Sequence, residues 1–123
     1  MGIVSCLVLI VLDVLWLKIT KGWYFKNIQN IQNSPVSIRM GPTIIVYVLM
    51  CMAVLFILLP LIYYATAIPK VLTACIVGLC IYGIYNCINY AVFKNYSIKV
   101  AIVDTVWGTF LFGFVGFLIL KNL

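Results

Sequence analysis

The chain has 123 residues, 67% of them hydrophobic and 8% charged, with eight Lys/Arg against two acidic residues and no histidine. Soluble domains run at roughly 45–50% apolar and 25% charged, so a mean hydropathy of +1.26 excludes a water-soluble globule and makes lipid the main solvent. Without histidine, His-ligated zinc or haem, di-iron carboxylate–histidine centres and Cys–His dyads are excluded or nearly so, and neither a metal nor a cofactor is expected.

Four hydrophobic spans follow one another at about residues 3–22, 42–64, 70–93 and 98–120, each near the ~20 residues that cross ~30 Å of hydrocarbon. They predict an all-α fold: one polytopic membrane domain, residues 1–123, built as a four-transmembrane-helix bundle. Asp13, Lys18 and Lys21 shorten the clean core of the first span. No basic region precedes it and no small-x-small site follows, so it is expected to stay as helix one rather than be removed as a signal peptide. The start Met-Gly-Ile-Val-Ser-Cys carries Cys6 where myristoylation needs Ser or Thr.

Residues 23–41 read as the one sizeable loop. Trp23, Tyr24 and Phe25 suit an interfacial aromatic belt, and the repeat from Asn27 to Asn33 suits a short surface helix. Pro42 is placed to open helix two, Pro60 predicts a kink inside it, and Pro69 opens helix three. Lys18, Lys21, Lys26, Arg39, Lys94 and Lys99 fall in the first and third connections, against Lys70 and Lys121 elsewhere. The positive-inside rule then puts those two loops in the cytoplasm and both termini outside or lumenal. Cations so placed meet lipid headgroups, so the bilayer is the expected partner and nucleic acid is not.

The two acidic residues, Asp13 and Asp104, both lie within apolar spans, each in an Asp-x-x-Trp phrase that ends at Trp16 or Trp107. A carboxylate at mid-bilayer costs about 2.5–3.5 kcal/mol on insertion scales, which makes it a site hypothesis by default. On helix three Tyr82, Tyr85, Asn86, Asn89 and Phe93 recur at spacings of three and four and form one stripe. Asp13, Asn89 and Asp104 each stand five residues from a lysine, about 7–8 Å inside the cation layer at 1.5 Å per residue. Three helices thus offer polar groups at one level, and burial cost turns them toward one another.

Two carboxylates there cannot comfortably both ionise. A shared proton, hydrogen bonds from Asn86, Asn89, Tyr82 and Tyr85, or a bound cation would satisfy them. The competing role is interhelical glue, worth roughly 0.6 kcal/mol per contact. The five cysteines read as small apolar fillers. Ala74 and Gly78 make a small-xxx-small pair, and Gly108, Gly113 and Gly116 thin helix four for close approach.

The phrases Leu12-Asp13-Val14-Leu15-Trp16-Leu17, Tyr24, Tyr82-Gly83-Ile84-Tyr85-Asn86-Cys87-Ile88-Asn89 and Val103-Asp104-Thr105-Val106-Trp107-Gly108-Thr109 occur in that order. They resemble the DUF2177 family, small four-helix integral membrane proteins of unknown function widespread in bacteria. The family pattern on helix three is Tyr-Asp-x-Thr-Asn; here Asn86 stands for the Asp and Ile88 for the Thr, which departs from a relay of three carboxylates. The resemblance implies the fold and the location of the site, and no reaction.

Three functions compete, in this order. The first is proton- or cation-coupled transport or permeation of a small solute through Asp13 and Asp104, with Asn86, Asn89, Tyr82, Tyr85, Trp16 and Trp107 shaping the site. A chain this short is expected to need a second copy, as a homo-oligomer, to complete a pathway. The second is a non-catalytic structural or assembly component of a cellular or viral membrane. The third, with the weakest support, is a cofactor-free enzyme acting on a lipid or isoprenoid by acid/base chemistry. Richness in Ile, Asn and Lys suggests an AT-rich genome, microbial or that of a large DNA virus.

Overall fold

In a computed structural model that describes residues 1–64 and 69–122, the chain forms four helices long and apolar enough to cross a membrane. They are α1 (Gly2–Gln32), α2 (Met40–Tyr64), α3 (Lys70–Val92) and α4 (Ile98–Lys121). Large apolar side chains such as Ile3, Ile19, Phe56 and Val92 remain more than two-thirds exposed, the surface expected where lipid replaces water. The protein is an all-α, multi-pass bundle. The expected second connection falls largely on residues 65–68, outside the described ones.

The main difference from the sequence reading lies in α1. Residues 23–32, expected as loop, continue the helix for three further turns to an Asn33 cap in the left-handed conformation (φ 58°). A tertiary contact holds this polar extension. Asn27 donates through Nδ2 to the Asn95 carbonyl (3.1 Å), and its Oδ1 accepts from the Ser97 amide (3.4 Å). Tyr24 and Ile31 pack against Tyr96, Val100 and Ala101. Tyr24, Asn27 and Ile31 share one helix face at spacings of three and four, so the docking face is periodic although the segment is polar.

Pro60 distorts α2 through a π turn over Val54–Leu58, where the Leu59 amide donates to the Val54 carbonyl five residues back. Proline has no amide to offer the Phe56 carbonyl, and widening the preceding turn removes the clash between ring and backbone. Pro42 sits in the first turn, where amides have no intrahelical acceptor. Ser97 caps α4 by accepting from the Val100 amide through its hydroxyl (3.3 Å).

The tightest seam joins α3 and α4, and small residues make it possible. A Cβ at Gly78 would meet the Gly108 carbonyl, one at Gly108 would meet the Tyr82 ring, and one at Gly116 would meet Ala74. Gly113 faces Cys75 in the same way. Leu111, Phe112, Val115 and Ile119 carry this seam into a core completed by Leu9 from α1 and Val54, Leu58 and Ile62 from α2. In lipid, such close backbone approach supplies the van der Waals contact that hydrophobic burial supplies in water.

Candidate functional site: a carboxylate cavity among the helices

Asp13 is buried on α1 and accepts three hydrogen bonds from three other helices. Tyr47 of α2 donates to Oδ2 (2.9 Å); Tyr82 of α3 and Trp107 of α4 both donate to Oδ1 (3.2 Å each). All three donors are neutral. Asp104 of α4 is more open. Its Oδ2 accepts from Asn86 Nδ2 (2.8 Å), and the Trp16 indole lies beside it.

Asn86 is the hub of the second half of the site. It is 1% exposed, and its amide nitrogen donates to both the Tyr82 carbonyl (2.8 Å) and Asp104. Its Oδ1 accepts from the Tyr96 hydroxyl (2.8 Å). Both amide protons are thus directed at acceptors, and Asp104 is held as one of them. Tyr96 lies in the connection between α3 and α4, where burial pushes its hydroxyl above the usual phenol range and keeps it a donor.

The Asp-x-x-Trp phrases cross over. Trp107, next to Asp104 in sequence, bonds to Asp13, while Trp16, next to Asp13, stands beside Asp104. The two indoles stack at 4.7 Å between centroids with 4° between planes. Helices α1 and α4 therefore exchange tryptophans around the carboxylates.

Both carboxylates line one cavity of about 380 Å³. Its walls are aromatic: Trp16, Tyr24, Tyr47, Tyr82 and Tyr85. Among the described residues, no Lys or Arg lines it. Tyr24 and Tyr85 join their hydroxyls across one side of it (3.1 Å). Leu17 of α1 and Val46 of α2 are 40% and 51% exposed and also line it, so the cavity reaches the lipid-facing surface between α1 and α2.

Residues 2–120 match the family model described as "Predicted membrane protein (DUF2177)". The chain belongs to the DUF2177 family. No curated relative and no solved structure matches it.

In this DUF2177 chain the structure brings together Asp13, Asp104, Asn86, Tyr82, Trp16 and Trp107, with Tyr85 on the cavity wall. Asn89 stands apart: it lies beside Tyr96, does not line the cavity, and its carbonyl ends α3 by accepting from the Phe93 amide (2.9 Å). Two members escaped sequence reasoning. Tyr47 could have been found as a hydroxyl within the apolar run from Ile44 to Leu59. Tyr96 sits in a short connection and carries no periodic signal. Tyr24, expected in an interfacial belt, also meets the Tyr85 hydroxyl and lines the cavity.

Proposed function

We propose that this DUF2177 protein is a small transporter or permeation protein that couples solute movement to protonation or cation binding at Asp13 and Asp104. The observation that carries the reading is the cavity of about 380 Å³, which is lined by both carboxylates and, among the described residues, by no cationic side chain. Two acids in one low-dielectric cavity exchange protons and cations as a coupled pair, because each charge disfavours the other. Asp13, with three donors, is the fixed member; Asp104, with one, is the member free to change partners. On this reading the Lys-rich connections face the cytoplasm and both termini face outward.

The alternative of polar glue is favoured by one observation. Among the described residues, every buried side-chain nitrogen or oxygen has a hydrogen-bond partner. Flux into liposomes carrying a pH-sensitive dye, driven by a potassium diffusion potential, separates the two. Transport predicts proton movement in the native protein that falls at least about tenfold in Asp13→Asn and Asp104→Asn, each still folded by circular dichroism. Flux equal to that of empty liposomes would leave the glue reading in its place.

A further inference from the structure

The cavity is specific about what it could hold. Its charge comes from two carboxylates, which repel anions. Its walls are indole and phenol rings, whose faces carry negative potential and attract cations, ammonium groups above all. A metal ion fits less well, because Asp13 already spends its oxygens on Tyr47, Tyr82 and Trp107, and hard cations require several converging oxygens. An organic ammonium, large and weakly hydrated, needs only a charge nearby and aromatic faces around it.

The shape adds a second constraint. At about 380 Å³ the space lies at the small end of ligand pockets, which run roughly 300–1,000 Å³. Asp104 and Trp16 stand together on its wall, and Leu17, Val46, Met50 and Ile81 add aliphatic surface. Exposure of Leu17 and Val46 opens the cavity between α1 and α2, next to Lys18 in the sequence. We infer that the cavity binds an organic ammonium carrying a short apolar tail, which enters between α1 and α2, sets its head against Asp104 and Trp16, and leaves its tail along Leu17 and Val46. This names the solute class of the transport site proposed above and rests on that reading. The same ammonium chemistry is found in choline and ethanolamine lipid headgroups, so the source of the head is settled by experiment.

The test is a titration of the whole protein, in nanodiscs of phosphatidylglycerol alone, with hexyltrimethylammonium, followed by tryptophan fluorescence and calorimetry. Hexyl sulfate, with the same tail and the opposite charge, is the control. Saturable binding of the ammonium alone is expected. It should weaken about tenfold or more in Asp104→Asn and several-fold in Trp16→Leu, and stay unchanged in Cys87→Ser, a lipid-facing site outside the cavity. Asp104→Asn is near-isosteric, and intact circular dichroism in the free variant establishes that it is folded. Should it unfold, Trp16→Leu and the hexyl sulfate control carry the test.

Repeating the titration in discs containing phosphatidylcholine or phosphatidylethanolamine identifies the source. Competition assigns the site to lipid headgroups, and its absence assigns it to free ammonium; both support an ammonium site. Binding of hexyl sulfate as tight as that of the ammonium, or no saturable binding of either, overturns the inference. Proton flux in liposomes without ammonium binding would overturn the solute class and leave the transport reading intact. Ammonium binding without flux would overturn transport and leave the site.

Discussion

The two sides of the bundle are built on opposite rules. Between α3 and α4, glycines at 78, 108, 113 and 116 let backbones and rings touch, and any added carbon meets a neighbour. Between α1 and α2, the helices stand apart around a cavity lined by four tyrosines, Trp16 and both carboxylates. The first side gains stability from contact, whereas the second leaves room beside charge that a bilayer makes costly. A protein needing only to fold could close the second side as it closed the first. The retained gap is therefore the feature a function must explain.

The sharpest way to break the contrast is to enlarge a residue on each side. Gly108→Leu drives a side chain into the Tyr82 ring and should cost several kcal/mol or abolish the folded bundle, since overpacking by even a few carbons costs about 1–3 kcal/mol. Val46→Leu, on the cavity wall, should cost less than about 1 kcal/mol. Thermal unfolding in detergent compares the two, and equal losses would erase the distinction.

Next in size is Asp13→Ala, which leaves the Tyr47, Tyr82 and Trp107 donors without their acceptor. At about 1–3 kcal/mol for stranded buried groups, a drop in thermal midpoint is expected. Asp104→Ala, losing one donor contact, should fall by less. The reverse order would contradict the assignment of Asp13 as the fixed carboxylate.

Asn86→Leu removes the donor to Asp104 and the acceptor of Tyr96. If the hub acts through Tyr96, Tyr96→Phe should reproduce part of the loss, and the double variant should be less than additive in a thermodynamic cycle. Full additivity would mean the two are independent. The smallest effect belongs to Tyr24→Phe, which breaks one hydroxyl contact with Tyr85. It should change stability by roughly 0.6 kcal/mol and be read instead in ligand access, as a faster approach of a quencher to Trp16 on the cavity wall.

The fold class was legible because lipid imposes it. A strongly apolar chain with four long runs has few solutions other than a helix bundle, and α2, α3 and α4 end near the prolines and lysines that interrupt those runs. The continuity of α1 through its last ten residues was not legible, although the repeat from Asn27 to Asn33 suited a short surface helix. Hydropathy marks where a helix leaves lipid, while the partners of Asn27 and Tyr24 are fixed by tertiary contact with residues 95–101. Intramembrane cost drew attention to Asp13, Asp104 and Asn86, because polar atoms in lipid must find partners. The same logic reached Asn89 too, but that residue is close enough to the end of α3 to be accommodated beside Tyr96. The crossing of the two tryptophans was out of reach, since spacing along one helix says nothing of which neighbour a side chain selects.

The central claim is that Asp13 and Asp104 act as one coupled pair reached through the cavity. Infrared titration of the carboxyl C=O band on purified protein, beside Asp13→Asn and Asp104→Asn, tests it most directly. The account predicts a protonated carboxyl band that titrates, and that moves or disappears in either variant, because removing one charge changes the proton affinity of the other. A band that never titrates, or two acids whose titrations ignore each other's removal, would contradict it.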